Sequence, residues 1–367
     1  MKKINGILIA LILIAIHAAL FFILVGKSGD ELMDKQINKN QNQITSTNII
    51  SNTEQTNLGS INSVQPGAIR ADKENLDDPN LSKIYNPTSE PGKLKSDNPN
   101  RLTKKNYDEL IGDPYQGAIV IDAHTGEILI EERANAYSYP ASVTKLMTLL
   151  VCLEAIDKGE IDLTDRIKIN DEIYNIGGSQ LYLDPRETNL TVKDMLYGIM
   201  VHSANDAARA LGLHISGSRS LFVERMNQRA KIIGMTATHY VSDHGLPPDD
   251  RTQPDISTAY DIALLALACL RHPETLTYTG TELIYLRDGK TMLATRNALA
   301  KKVDGYIGCD GLKTGYHGRG GWSLVATAER NGRRIISVVL GSPDKDTRND
   351  ISRRLLDRGF EKIEANR

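Results

Sequence analysis

Ser142 and Lys145 stand three positions apart in Tyr139-Pro140-Ala141-Ser142-Val143-Thr144-Lys145, at the front of a run whose pattern predicts a helix. Pro140 suits a helix entrance because its φ is pre-set and its missing N–H is not needed there. Leu146, Leu149, Leu150 and Leu153 recur at helical intervals and Gly159 offers a stop, so the stretch reads as an amphipathic helix. Residues at i and i+3 are neighbours on a helix surface. A hydroxyl beside an amine can give up its proton and act as a nucleophile, which serine does not do at neutral pH without a base. The spacing alone is a weak signal. It recurs at Ser342 and Lys345, after a strand-like run and with Pro343 between them, where it reads as chance.

Two more short motifs follow in the chain. His202-Ser203-Ala204-Asn205 falls between two helical patterns and reads as a loop joining helices, with Asp206 suited to the first turn of the helix that follows. Gly311-Leu312-Lys313-Thr314-Gly315 stands just before a closing pair of strand-like runs, a place for an edge strand facing a cleft. His202, His244 and His317 flank these motifs and read as structural. No Gly-x-Ser-x-Gly is present and no His/Asp/Glu cluster has zinc spacing, so neither a metal nor a cofactor is expected.

These motifs need elements to hold them. Residues 117–122 and 127–132 are β-type runs around Ala123-His124-Thr125-Gly126, a hairpin signal. Helical patterns then occupy 191–201, 206–215, 218–233 and 257–271. Strand patterns return at 322–329 and 333–340 around Arg330-Asn331-Gly332, and a last helix covers 345–364. The layout predicts an α/β (α+β) fold class: one antiparallel sheet assembled from both ends of the domain, flanked by helices, with a helical lobe inserted between its strands. A cleft between sheet and lobe is the natural place for a site.

Composition bounds the rest. A chain of 367 residues with net charge -2 lacks the concentrated basic surface of a nucleic-acid binder. Residues 4–26 are almost wholly apolar and follow Lys2 and Lys3. At roughly 1.5 Å per residue the run spans a bilayer core of about 30 Å. It reads as a membrane anchor over 1–26, with the remainder exported; a cleaved signal peptide is the alternative, but the run exceeds the usual apolar core and no small-x-small cleavage site follows. Residues 27–105 are rich in Asn, Ser, Gln, Thr, Asp and Lys, and read as a polar linker unable to bury a core. Ser96-Asp97-Asn98 lies in this stretch and is discounted. The folded domain is expected over 106–367. Three cysteines, Cys152, Cys269 and Cys309, suggest no disulfide framework.

Ser-x-x-Lys, Ser-x-Asn and Lys-Thr-Gly, in that order and in those settings, form the set found in penicillin-binding proteins and class A β-lactamases. The chain around Tyr139, Met200, Thr238 and residues 311–341 resembles the D-alanyl-D-alanine carboxypeptidase branch, serine peptidase family S11. Val241-Ser242-Asp243-His244-Gly245-Leu246 is similar to the family's Asn-Pro-His-Gly-Leu region, and Ser257-Thr258-Ala259-Tyr260-Asp261-Ile262-Ala263 to its Ser/Thr-Ala-x-Asp-Met-Ala helix start. The resemblance implies a β-lactamase/transpeptidase-like fold.

It also implies roles. Ser142 would be the nucleophile and Lys145 its base, provided that burial and the charge of Lys313 bring the lysine down from its ordinary value near 10.4. Ser203 would relay a proton to the departing amine, and Asn205 would hydrogen-bond Lys145 and the substrate amide. Lys313 and Thr314 would bind the terminal carboxylate, with Arg319 a candidate second charge or else a solvated loop arginine. Gly315 would let substrate backbone approach, and Tyr316 would join Ser142 in supplying backbone N–H groups to an oxyanion. Position 204 is Ala where the family usually has Gly, and 316 is Tyr where it often has His, which leaves substrate preference and deacylation rate less constrained.

The implied activity is removal of the terminal D-Ala from peptidoglycan stem peptides through an acyl-enzyme, with β-lactams as covalent inhibitors. The enzyme would sit on the bacterial cytoplasmic membrane as a single-pass protein with its catalytic domain on the periplasmic or cell-wall side. Many relatives anchor through a C-terminal amphipathic helix after a small β domain; this chain ends soon after its terminal helix, so the anchor is expected at the front. Alternatives are a D,D-endopeptidase acting on cross-links or a non-catalytic penicillin-binding sensor. A β-lactamase fits less well, because no Glu stands in a Glu-x-x-Leu-Asn context between Ser203 and Lys313.

Overall fold

The computed structural model describes residues 109–174, 176–248 and 253–365. The apolar run at 4–26, the polar stretch at 27–105 and the boundary at Asn106 lie outside the described residues. Among those described, no helix is long and apolar enough to cross a membrane.

In chain order, β1 (Gly117–Asp122) and β2 (Ile128–Glu132) form a hairpin, followed by the short β3 (Tyr137–Ser138). A 3-10 turn over Ala141–Thr144 leads into α1 (Lys145–Asp157). The lobe continues with α2 (Val192–Tyr197), a π-helical turn over Gly198–His202, α3 (Asn205–Ser216) and α4 (Arg219–Ile232). Next come β4 (Ser257–Thr258), α5 (Ala259–Leu270) and α6 (Glu274–Thr279), then a small hairpin of β5 (Leu283–Leu286) and β6 (Thr291–Ala294). The chain closes with β7 (Cys309–His317), β8 (Gly321–Arg330), β9 (Arg333–Ser342) and α7 (Lys345–Ala365).

The main sheet has strand order β2-β1-β9-β8-β7 with every pairing antiparallel. The first hairpin therefore pairs with the last, and the helical lobe is an insertion, as the sequence predicts. Its turns follow from local chemistry. Asp122 Oδ1 accepts from the N–H groups of His124 and Thr125 at 2.8 and 3.0 Å, while Asn331 and Gly332 both take positive φ, the hallmark of a two-residue hairpin turn.

Alternation along the strands fills two cores. Ile119, Ile121, Val325, Ile336, Val338 and Leu340 face the lobe. Ala118, Val120, Leu324, Ala326, Ile335 and Val339 face Leu355, Leu356 and Phe360 of α7. Helix α1 runs between sheet and lobe and is buried continuously from Lys145 to Ala155. The amphipathic expectation is corrected here: with α3, α4 and α5 packed around it, this helix has no solvent face over those turns.

Other departures are local. Residues 257–258 pair as β4 with β3 before α5 begins, and Thr258 caps that helix by accepting from Asp261 N at 3.1 Å. Helix α6 and the β5–β6 hairpin have no strong period in the sequence. The three cysteines are free, with Cys152 and Cys269 buried.

Candidate active site

Ser142 belongs to the 3-10 turn and Lys145 is the first residue of α1, so the pair spans a junction rather than a regular helix. Lys145 Nζ lies 3.0 Å from Ser142 Oγ. The same amine donates to Asn205 Oδ1 at 2.7 Å and to the His244 carbonyl at 2.6 Å, which fixes it on three sides. Lys145 is wholly buried, and burial brings its pKa down to about 7. Asp243 and Asp255 oppose that fall, and Arg296 assists it.

The second cationic centre sits on the sheet edge. Lys313 Nζ donates to Ser203 Oγ and to the Thr314 carbonyl, each at 3.0 Å. Its pKa lies well below the usual lysine range, first through burial and then through the ammonium of Lys145. The two ammonium groups repel one another, so each favours the neutral form of the other, and burial is the larger cause at both. Of the two lysines expected to serve the Ser203 relay, Lys313 is the one hydrogen-bonded to its hydroxyl.

Local structure explains these placements. The α2 segment opens with a capping box between Thr191 and Asp194 and passes into the π-helical turn, whose end leaves Ser203 in the left-handed region at φ 65. Asn205 then starts α3. Its Nδ2 donates to the Gly177 carbonyl at 2.8 Å and its N–H to the Ser179 carbonyl at 2.7 Å, so the loop around Gly178 closes over the asparagine. Asp206, expected to serve the helix start, also accepts from Leu181 N and Leu183 N at 3.0 and 3.1 Å and ties that loop to α3.

Among the described residues strand β7 has a ladder partner only on its β8 side, so Lys313, Thr314, Gly315 and Tyr316 lie along an edge. A Cβ at Gly315 would lie 2.6 Å from the Pro140 carbonyl oxygen and 3.2 Å from Val143 Cγ2. The glycine thus lets the strand approach the nucleophile turn itself, a steric reason distinct from the substrate approach expected from the sequence.

Ser142, Ser203, Asn205, Thr314, Gly315 and Tyr316 line one cleft of about 570 Å³. Arg296, Lys301, Lys345 and Arg348 line it too, and among the described residues its walls carry no Asp or Glu. Sequence reasoning missed these cations. Arg348 is buried, and burial lowers it to about 10; it donates to Asn349 Oδ1 at 2.7 Å and its guanidinium stands 5.9 Å from the Trp322 ring centre. Only the abnormal burial of a lone arginine marks it, and no local pattern signals that. Lys345, read as half of a chance motif, reaches the cleft from the start of α7. Arg319 instead lines a neighbouring depression with Pro247 and Gly318. His244 contributes its carbonyl, and His317 packs its ring against Tyr139 with centroids 5.0 Å apart. Among the described residues no group of His, Cys, Asp and Glu could hold a metal ion.

The profile of the peptidase S11 family, described as D-alanyl-D-alanine carboxypeptidase, matches residues 115–344. The chain belongs to that family. Carboxypeptidase DacF of Bacillus subtilis is 38% identical over 253 residues, covering 68% of this chain and 63% of the relative. DacA of Escherichia coli K12 is 32% identical, covering 67% and 61%. The chain thus spans a little under two thirds of the curated relatives' length. Penicillin-binding protein D2 of Listeria monocytogenes, solved with ampicillin, superposes with TM-score 0.61 at 32% identity over 67% of this chain and 98% of that one. Penicillin-binding protein 5 of Haemophilus influenzae gives 0.63 at 33% identity over 68% and 71%. These S11 and penicillin-binding neighbours share the transpeptidase/β-lactamase-like fold expected from the three motifs.

Proposed function

We propose that the chain is a serine-type D-Ala-D-Ala carboxypeptidase that trims the terminal D-Ala from peptidoglycan stem peptides. The observation that carries this reading is the 3.0 Å approach of a buried lysine, titrating near 7, to Ser142 Oγ, which lines the same cleft as Thr314 and Gly315. A base with that pKa is about half neutral at pH 7 and still basic enough to take a proton.

In the reaction, Ser142 Oγ bonds to the carbonyl carbon of the penultimate residue as its proton passes to Lys145 Nζ. The carbonyl electrons move onto oxygen, held by the N–H groups of Ser142 and Tyr316, and return as the C–N bond breaks. The departing amine takes its proton from the Ser203 hydroxyl, which is resupplied through Lys313. Lys145 gives up the proton it took from Ser142 to recharge that relay. Water then attacks the ester, its proton goes to the neutral Lys145, and Lys145 returns it to Ser142 Oγ as the C–O bond breaks. Arrival of the substrate carboxylate would restore the proton on Lys313, since an opposite charge favours the ionised lysine. Thr314 and the edge of β7 would align the peptide as an added strand. Arg348 and Arg296 are better placed than Arg319 to share the carboxylate, because they line the cleft. β-Lactams would acylate the same serine, a reading supported by the ampicillin complex of the Listeria relative.

The apolar run at 4–26 behind two lysines supports a single-pass anchor in the cytoplasmic membrane, and the polar stretch at 27–105 a tether carrying the catalytic domain of 106–367 to the wall side. Fluorescent penicillin labelling of wild type and Ser142→Ala, run beside D-Ala release from a pentapeptide, tests the central reading. Both signals are expected in wild type and neither in the variant. Labelling without release would leave a penicillin-binding sensor, and release persisting in Ser142→Ala would refute the serine assignment.

A further inference from the structure

We propose that Asp255 is a positioning residue for the Ser142 and Lys145 pair, clamping the nucleophile turn to the 241–245 loop and supplying the unpaired negative charge that acts on the lysine. This rests on Lys145 being the base.

The geometry is specific. Asp255 is buried, and each of its oxygens receives two bonds. Oδ2 accepts from Thr144 Oγ1 at 2.7 Å and Ser242 Oγ at 3.0 Å. Oδ1 accepts from Val241 N at 2.8 Å and Ser242 N at 3.0 Å. Thr144 immediately precedes Lys145 in the turn that carries Ser142. Ser242 Oγ in turn accepts from Gly245 N at 2.7 Å, which fixes the loop whose His244 carbonyl holds Lys145 Nζ. Thr148 Oγ1 donates to the Asp243 carbonyl at 2.6 Å and adds a second rivet. At Gly245, with φ +89, a Cβ would lie 1.9 Å from the Ala141 carbonyl oxygen, so loop and turn are in backbone contact. One carboxylate therefore spans both segments that decide where the amine sits relative to the hydroxyl.

Its charge matters for a separate reason. The charged and titratable groups acting on Lys145 are Asp243 and His244 from the loop, Asp206 from α3, Asp255, Arg296, and Lys313 from β7. Asp243 is paired with Arg209 at 2.6 Å, and His244 is held neutral by burial, at about 3. Asp206 is occupied by backbone N–H groups of the 181–183 loop. Asp255 accepts from hydroxyls and N–H groups and forms no ion pair among the described residues; Tyr240 beside it is neutral and buried, and the cation its charge acts on is Lys145 itself. Burial raises it to about 6, so it changes charge next to the range in which Lys145 does.

The test is the rate of acylation by fluorescent penicillin between pH 5 and 9. Wild type should show an acid limb near 7; failure to acylate at any pH would overturn the proposed function rather than this inference alone. Asp255→Asn is isosteric and keeps the acceptor for both N–H groups while removing the charge. Its acid limb should move down by about one pH unit, so that at pH 6 it runs at about five times the wild-type share of its own plateau. A limb at the wild-type position would overturn the proposal. Thr144→Val keeps the charge and breaks one clamp. Its limb should stay in place while the plateau falls about tenfold through misplacement of the pair, and an unchanged plateau would refute the clamp.

Discussion

Substituting Asn205→Asp should disable the base, and it also loses the bond from the Asn205 amide to the Gly177 carbonyl, so the pH profile rather than the rate at one pH carries the test. Asn205 Oδ1 lies 2.7 Å from Lys145 Nζ, so the variant places a carboxylate in contact with the amine. At an effective dielectric of about 20 that contact has a Coulomb ceiling of about 6 kcal/mol, and measured neighbours of this kind raise a lysine by about one to three pH units. Taking about two, Lys145 would titrate near 9 instead of about 7. The neutral fraction at pH 7 would fall about fifty-fold, and acylation with it. The sign follows from the base being active only when neutral: activity is lost as pH falls through the lysine's folded pKa, so a raised pKa moves the loss to higher pH. The assay is the second-order rate of fluorescent penicillin labelling from pH 6 to 10 for wild type, Asn205→Asp and Asn205→Ala. Only the Asp variant should regain activity as pH rises beyond 8. If its rate is depressed equally at every pH, with the acid limb still near 7, Lys145 does not titrate as the base and the assignment fails. The stake is large, because a lysine at its ordinary value would be neutral in only about one molecule in 2,500 at pH 7.

Two further outcomes test the steric and electrostatic reading of the fold. Gly315→Ala puts a methyl 2.6 Å from the Pro140 carbonyl, so strand and nucleophile turn must separate. Labelling should fall about a hundredfold while circular dichroism shows a folded protein, and an unaffected rate would disprove the close-approach argument. Asp261 is raised to about 6 by burial, against which Thr238 and the Ala237 N–H pull it down. With the folded pKa above the unfolded one, stability falls as pH rises from about 4 through 6, and the ionised form costs the fold about 3 kcal/mol at pH 8. Asp261→Asn keeps the acceptor and should raise Tm by up to about 10 °C at pH 8 and not at pH 4. Equal Tm differences at both pH values would contradict the shift.

Contacts set within a few residues were legible in advance. The i, i+3 spacing brings Ser142 beside Lys145, Asn331-Gly332 turns the last hairpin, and the apolar alternation at 322–329 and 333–340 predicts strands with one face to each core. The three motifs, in order, also pointed to one cleft and to the S11 family. What remained hidden depends on partners far away in the chain. The burial of α1 on every side comes from α3, α4 and α5, so its leucines look amphipathic until those helices arrive. Arg348 is a core arginine only because α7 packs on β8, and Asp255 is a hub only because it meets Thr144 across 111 residues. The sequence by itself determined which groups could react, since residue type and local spacing settle that. Tertiary structure alone decided that Lys145 titrates near 7, because a pKa is set by how much water and charge the rest of the chain leaves around the amine.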